Sequence, residues 1–144
     1  MADRQPARIA KDLDIVAVIA LGGALGSLGR WGLAEAIPHT PGDYAWATFV
    51  VNIVGGFALG FFMASTAEVL ARTRLLRPFV GVGIIGGWTT FSTYMLDALH
   101  LLQADRMAMA IVGYLGGTLV AGLAAVWLGL TAGRLLPIRG GARR

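Results

Sequence analysis

A short polar stretch, GGWTTFSTYMLD at residues 86–97, lies inside an otherwise apolar segment. Its hydroxyl, aromatic and acidic side chains are, in order, Trp88, Thr89, Thr90, Phe91, Ser92, Thr93, Tyr94 and Asp97. On a helix, Phe91 and Tyr94 would share one face, and the series Thr90, Thr93 and Asp97 would share an adjoining one. Polar faces within apolar segments generally mark a transport pathway or a contact between membrane helices.

Two further polar pairs have the same helical spacing. Thr48 and Asn52 are four residues apart, and so are Tyr114 and Thr118. Amide and hydroxyl groups donate hydrogen bonds, and the edge of an aromatic ring carries partial positive charge. Such a lining suits a small anion that must lose its hydration water, whereas a cation path is typically lined by acidic rings or carbonyl cages. The polar residues therefore predict an anion pathway.

Two of the polar residues have alternative interpretations. Asn52 could instead form a hydrogen bond between helices, which is a common use of asparagine in membranes. Arg30, late in the first apolar segment, could add positive potential at a pore mouth or extend to the membrane surface as an interfacial arginine. Residue type and position leave both questions open.

Enzymatic chemistry is not indicated. His39 and His100 show no metal-ligand spacing, and the chain contains no cysteine. No serine lies in a nucleophile elbow, and no glycine-rich loop matches a phosphate-binding motif. We therefore expect a protein that is not an enzyme.

The polar residues lie on a chain whose composition is typical of a membrane protein. Of its 144 residues, 56% are hydrophobic and 14% are charged, whereas soluble domains carry about 25% charged residues. Four apolar segments, at about 13–37, 46–67, 78–102 and 107–132, are each long enough for a spanning helix. Because the connections are short, we expect residues 1–144 to form a single all-α domain of four transmembrane helices with short polar tails.

Glycine is abundant, and its spacing predicts close helix packing. Pairs four residues apart occur in every segment: Gly22 and Gly26, Gly56 and Gly60, Gly83 and Gly87, and Gly113 and Gly117. Such pairs let helix backbones approach closely inside a membrane. Because all four helices carry them, they suggest assembly with another copy of the chain.

The basic residues are distributed unequally. Ten of the twelve Lys and Arg residues lie in the two tails and between the second and third segments. The remaining two are Arg30 and Arg106. By the positive-inside rule, both termini are expected in the cytoplasm, with the chain in the cytoplasmic membrane. This pattern indicates topology rather than a surface for nucleic acid.

Three stretches resemble the Fluc/CrcB fluoride-channel family. GGALGSLGRWGL, at residues 22–33, resembles its first-helix pattern ending in arginine, and WATFVVNIVGGFALG, at 46–60, its second-helix pattern with an asparagine. GGWTTFSTY, at 86–94, resembles its third-helix motif. The resemblance covers nearly the whole chain. It implies a passive, fluoride-selective channel that exports fluoride across the cytoplasmic membrane and so relieves its toxicity.

The resemblance also implies an architecture and a set of site residues. The family forms an antiparallel, dual-topology dimer with two fluoride pores, and its third helix is broken near the middle. Carbonyl groups at Gly86 and Thr89 would hold a structural Na⁺ on the dimer axis. Together with Thr48, which shares a face with the asparagine, the implied pore residues are Arg30, Asn52, Phe91, Ser92, Thr93, Tyr94, Tyr114 and Thr118.

The chain departs from the family pattern in three respects. Tyr94 stands where the family usually has phenylalanine, so either its ring edge or its hydroxyl could face the ion. Asp97 stands where many members have glutamate. The biased distribution of basic residues suggests a heterodimer with an oppositely biased paralogue as an alternative to a homodimer.

Two other functions remain open at this point. A small four-helix drug/proton antiporter would need a titratable carboxylate near the centre of a span, and Asp97 is the nearest candidate. A non-conducting partner subunit of a heterodimeric fluoride channel is the other alternative.

Overall fold

The structure, a computed structural model, describes residues 5–65 and 74–135, with side chains from residue 12 onward, and every regular element in these ranges is helical. In chain order the helices are α1 (Gln5–Ala36), α2 (Trp46–Ser65), α3 (Arg77–Ile85), α4 (Gly86–Trp88), α5 (Ser92–Gln103), α6 (Met109–Gly116) and α7 (Gly117–Leu135). Outside the described part lie Arg4, Arg72, Arg139, Arg143 and Arg144, the side chains of Arg8 and Lys11, and positions 66–67 of the expected second segment.

Four stretches of helix are long and apolar enough to cross a bilayer. They are Asp12–Ala36, Trp46–Ser65, Arg77–Gln103 and Met109–Leu135. Large apolar side chains on their outer faces are well exposed, for example Leu28 at 62% and Val120 at 69%. In water this exposure would be unfavourable, but lipid solvates apolar side chains. The described part of the chain is all-helical, and the protein is a multi-pass membrane protein.

The helices pack in two pairs whose contacts depend on glycine. Helix α1 lies against α3 and α4, where a Cβ atom at Gly26 would collide with the backbone of Ile84. Helix α2 lies against α7, where a Cβ atom at Gly129 would collide with the backbone of Phe57. Three of the four expected glycine pairs lie at such contacts. The fourth does not, because a Cβ atom at Gly113 or Gly117 would come within 4 Å of α6 atoms alone.

The third span changes its backbone conformation twice. Helix α3 has wide, π-helical turns, a conformation that is rare and often found at functional sites. After the short α4, Thr89 takes extended torsions (φ −75°, ψ 158°), and regular helix resumes only at Ser92. The interruption at residues 89–91 therefore leaves some backbone groups of this span in need of partners other than the usual helical ones. The amide of Thr89 and the carbonyl of Phe91 keep helical partners, in Ile85 and Met95.

One end of the bundle is closed by the loops at 37–45 and 104–106, and we call it the loop end. An ion pair joins the two loops, because Nη1 of Arg106 lies 3.3 Å from Oδ1 of Asp43. Gly42, with a φ of 93°, makes the turn that follows α1. Beneath these loops the buried core consists of Ala45, Ala98, Leu101, Ala110 and Tyr114. This core holds the end of α5 against the start of α6.

Candidate functional site

Asn52 binds the backbone of the third span where its helix is interrupted. Its Nδ2 donates to the carbonyl of Thr90 at 3.0 Å, and its Oδ1 accepts from the amide of Thr90 at 2.9 Å. The side chain thus satisfies both backbone groups of a residue that lies outside regular helix. An amide NH₂ has two hydrogens, so one donor of Asn52 remains for another acceptor.

The Thr90 hydroxyl organises the start of α5. It accepts from the amide of Thr93 at 3.2 Å and donates to the Thr93 hydroxyl at 3.1 Å. The hydroxyl of Ser92 lies 3.4 Å away. Short hydroxyl side chains are well suited to satisfying the unpaired amides at a helix start. The hydroxyl-rich part of the motif therefore forms one connected group.

These same bonds redirect two amides from the carbonyls that they would serve in a continuous helix. The amide of Thr90, four residues after Gly86, donates to Asn52. The amide of Thr93, four residues after Thr89, donates to the Thr90 hydroxyl. Within 5–65 and 74–135, no group of three His, Cys, Asp or Glu residues could hold a metal ion. Backbone oxygens at Gly86 and Thr89 are thus the donor type that this part of the chain could offer a cation.

Arg30 is turned toward the interior of the protein. Its Nε donates to the carbonyl of Gly87 at 3.2 Å, and the hydroxyl of Ser27 lies 3.4 Å from the same oxygen. Among the described residues, no carboxylate lies within ion-pair distance of its guanidinium. A guanidinium has five N–H donors, so this contact leaves most of them and the full positive charge available.

Two grooves adjoin the interruption, and Thr90 lines both. The first, about 290 Å³, is called the arginine groove and is lined by Ser27, Arg30, Trp31, Ala34, Ala47, Thr48, Val51, Thr90 and Thr93. The second, about 370 Å³, is called the aromatic groove and is lined by Asn52, Gly56, Thr89, Thr90, Phe91, Tyr94, Thr118, Leu119, Gly122, Leu123 and Val126. Neither lining includes an acidic residue. Both grooves therefore present hydrogen-bond donors without fixed negative charge.

The aromatic groove contains the two rings of the motif. The ring centroids of Phe91 and Tyr94 are 6.1 Å apart, and Phe91 is 73% exposed in the single chain. The Tyr94 hydroxyl donates to the carbonyl of Leu115 at 2.6 Å. Leu115 belongs to α6, whose wide turns displace carbonyls from their usual partners. Because this bond occupies the hydroxyl hydrogen, Tyr94 can offer the groove its ring edge but not its O–H.

Thr118 supplies a further polar atom to the aromatic groove. Its side chain is 6% exposed, and among the described residues its Oγ1 makes no hydrogen bond of good geometry, although the Tyr44 hydroxyl is close enough to interact with it. A buried hydroxyl without a partner is costly, by about 1–3 kcal/mol. A ligand in the groove would offset that cost by accepting its hydrogen.

Tyr114 and Asp97 form a separate contact toward the loop end. Tyr114 is fully buried, and its hydroxyl donates to Oδ2 of Asp97 at 2.9 Å. Asp97 is 5% exposed, and its Oδ1 lies 3.4 Å from Nε2 of His39. The contact with His39 could not be predicted from the sequence, because the loop histidine and Asp97 are far apart along the chain.

The structure thus divides the residues expected at the site into three groups. Arg30, Thr48 and Thr93 line the arginine groove. Asn52, Phe91, Tyr94 and Thr118 line the aromatic groove. Ser92 and Tyr114 line neither, although both make hydrogen bonds to residues next to the grooves. Thr90 was not among the expected pore residues, and its place within the hydroxyl string was the available signal.

The fold and the two grooves define a class: a small multi-pass membrane protein with acid-free, donor-lined grooves beside an interrupted helix. Comparison with known proteins makes the assignment specific. The family described as "CrcB-like protein, Camphor Resistance (CrcB)" matches residues 17–130. Because the match covers most of the chain, this protein belongs to the CrcB-like family.

Curated relatives support the same assignment. "Fluoride-specific ion channel FluC 2" of Nocardia farcinica is 48% identical over 140 residues, which cover 96% of this chain and 98% of that protein. "Fluoride-specific ion channel FluC 3" of Streptomyces avermitilis is 41% identical over 121 residues, covering 84% of this chain and 59% of that protein. "Fluoride-specific ion channel FluC 2" of the same organism is 44% identical over 105 residues, covering 73% and 66%. These relatives are named as ion channels, not as enzymes.

Proposed function

We propose that this protein is a passive, fluoride-selective channel that exports fluoride across the cytoplasmic membrane and relieves its toxicity. The observation that carries the proposal is the aromatic groove. It brings a spare Asn52 N–H, the Thr118 hydroxyl and two aromatic ring edges together, and no carboxylate lines it. Relatives named as fluoride-specific channels supply the identity of the anion.

Hydrogen-bond donors have a definite task in such a channel. A small anion holds its water strongly, so the path must replace that water with other donors. Asn52 and Thr118 can each donate one hydrogen, and the ring edges of Phe91 and Tyr94 present partial positive charge. Each donor is weak on its own. Several weak sites in series let an ion enter without holding it, which conduction requires.

Arg30 supplies the electrostatic attraction. Its guanidinium lies in the arginine groove with no carboxylate partner among the described residues, so its field is not cancelled locally. The membrane potential, negative inside, drives an anion outward with about 2.3 kcal/mol per charge for each 100 mV. Neither ATP nor a coupled ion is needed for export.

The grooves of one chain also leave a surface that a second chain would cover. Phe91 is 73% exposed, and no atom from outside the local helix backbone lies within 4 Å of a Cβ built at Gly86. We assign this surface to an antiparallel dimer, with both termini of this chain in the cytoplasm. The bias of its basic residues, and the presence of two numbered FluC proteins in Streptomyces avermitilis, make an oppositely oriented paralogue the alternative to a second copy.

A structural Na⁺ fits the interrupted segment of the third span. The carbonyls of Gly86 and Thr89 have lost their usual helical donors to the Asn52 and Thr90 side chains. Hard cations such as Na⁺ prefer oxygen ligands, and freed carbonyls inside a membrane need compensation. When bound, the ion would supply fixed positive charge that stabilises these carbonyls and the chain contact beside Gly86.

A transport assay tests the proposal. The purified chain in liposomes should release fluoride, measured with a fluoride electrode, while chloride release stays at the level of protein-free liposomes. Release that requires an imposed proton gradient would indicate an antiporter. Release by this chain alone would identify a second copy as the partner, and release only after co-expression with a FluC paralogue would identify a heterodimer. No fluoride release in either case contradicts the proposed function.

A further inference from the structure

The strongest feature outside the two grooves is the contact of Asp97 with His39 and Tyr114, which we call the Asp97 cluster. The carboxylate is 5% exposed, so it is almost entirely removed from solvent. Each of its oxygens has one partner: Oδ1 lies 3.4 Å from Nε2 of His39, and Oδ2 accepts from the hydroxyl of Tyr114 at 2.9 Å. The His39 side chain keeps 28% of its surface exposed, so protons from solvent can reach it.

The Asp97 cluster lies beside both grooves. Asp97 is four residues after Thr93 on α5, so the two share one helical face, and Thr93 lines the arginine groove. The ring of Tyr114 lies 5.4 Å, centroid to centroid, from the ring of Tyr94, which lines the aromatic groove. One helical turn is about 5.4 Å. The charge of the cluster is therefore felt by an anion in either groove.

A negative charge at this position works against anion conduction. A carboxylate this deeply buried is tolerated when its charge is paired and its oxygens accept hydrogen bonds. Tyr114 supplies a hydrogen bond but no charge. While the carboxylate is ionised, a protonated His39 makes the cluster electrically neutral, because the histidine then carries the compensating positive charge. Loss of that proton leaves the carboxylate charge uncompensated next to the path.

We propose that His39 is a positioning residue that neutralises Asp97 beside the pore, so that anion flux through this channel increases as pH falls toward the range where histidine is protonated. This inference rests on the proposed fluoride conduction. Histidine ordinarily changes charge between roughly pH 5 and 8. The device would open the path further under acid conditions, which are those in which neutral hydrogen fluoride enters a cell.

The other charged and titratable groups near the cluster do not account for such a response. On α5 these are Tyr94 and His100; in the loop at 37–45, Asp43 and Tyr44; in the loop at 104–106, Asp105 and Arg106; and at the end of α1, Arg30 and Glu35. Tyrosine, arginine and exposed carboxylic acids ordinarily keep one charge state over this range, and Asp43 is paired with Arg106. The histidines remain. The chain has two, and in the described ranges the side chain of His100 makes no hydrogen bond or ion pair.

The experiment uses the conducting assembly identified by the liposome assay, at equal pH on both sides, at pH 6, 7 and 8. Fluoride release from protein-free liposomes is subtracted at each pH, because neutral hydrogen fluoride crosses lipid unaided. The chain itself should release fluoride about three times faster at pH 6 than at pH 8, as a like charge added near the path predicts. His100→Gln is the matched control and should keep this pH profile.

The two cluster variants should lose the profile in opposite directions. His39→Gln should stay near the slow rate of pH 8 at every pH, because the carboxylate is never neutralised. Asp97→Asn should stay near the fast rate of pH 6, because no charge remains to neutralise. A pH profile retained by both variants, or a flat profile for the unmodified chain, overturns the inference while leaving fluoride conduction intact. Absence of flux at all three pH values overturns the proposed function itself.

Discussion

Asn52→Asp should lower fluoride release by about three orders of magnitude. The substitution keeps the oxygen that accepts from the amide of Thr90 at 2.9 Å, so part of the contact survives. It replaces the nitrogen that donates to the Thr90 carbonyl at 3.0 Å with a second oxygen. It also places negative charge in the aromatic groove, which Asn52 lines.

The magnitude follows from the added charge. Two like charges about 4 Å apart repel by about 4 kcal/mol at an effective dielectric constant of 20. Each 1.36 kcal/mol is about a tenfold change in rate, so the barrier increases enough for a loss of roughly 1000-fold. The lost donor, which leaves the Thr90 carbonyl without its partner, should cost a further 1–3 kcal/mol or so of folding stability.

The assay is fluoride release from liposomes at matched protein density, with size-exclusion elution and melting temperature measured on the same preparations. Asn52→Ala is the matched control, since it removes both hydrogen bonds to Thr90 without adding charge. If Asn52 lines the ion path, the aspartate variant should be far slower than the alanine variant. Equal losses in the two variants would mean that Asn52 acts only by holding the third span. Release within threefold of the unmodified chain by a correctly assembled aspartate variant would refute the reasoning.

Two further substitutions test neighbouring parts of the site. Tyr94→Phe removes the bond to the Leu115 carbonyl and should cost about 1 kcal/mol of stability, measured by thermal unfolding. Fluoride release should stay within a few-fold of the unmodified chain, because the ring edge remains. A hundredfold loss of release would show that the hydroxyl binds the ion. Gly87→Ala should destabilise the single chain, because its Cβ would collide with α1. Gly86→Ala has free space within the chain. Its added methyl group would lie on the assigned dimer surface, so it should shift the size-exclusion profile from dimer to monomer. A Gly86→Ala protein that stays dimeric would argue against the assigned dimer surface.

The sequence was sufficient to predict the helical architecture, because the bilayer imposes it. An apolar segment of about 20 residues must satisfy its own backbone in lipid, and a helix does so. The expected and observed spans agree in number, and four helices are long and apolar enough to cross a membrane. Glycine spacing located the close contacts of α1 with α3 and of α2 with α7. It did not show that Gly113 and Gly117 lie away from other helices, since spacing does not say which face of a helix meets a neighbour.

The sequence predicted which types of residue form the site, but not which of them contact one another. The sequence left two interpretations of Asn52 and of Arg30, and the structure adds their contacts: Asn52 bonds the backbone of Thr90, and Arg30 donates to the carbonyl of Gly87. The pore roles of both residues stay predictions. The contacts of His39 with Asp97 and of Tyr94 with Leu115 join residues that are far apart along the chain. Helical periodicity does not reach across loops, so such pairs become visible only once the helices are packed.

The hydrogen bonds at the interruption of the third span affect two properties: the stability of the protein and the strength with which an ion would bind along the proposed path. Backbone groups freed by the interruption need partners inside a membrane. Asn52 on α2 bonds both backbone groups of Thr90, and Arg30 on α1 donates to the carbonyl of Gly87, just before the interruption. Each of these side chains commits some of its donors to the backbone and keeps the others. On the proposed path, an ion in the grooves would meet partly occupied donors, which would hold it less tightly than free ones. Weak binding at several sites lets an ion leave as readily as it enters, so we expect the bonds that stabilise the interruption also to favour conduction.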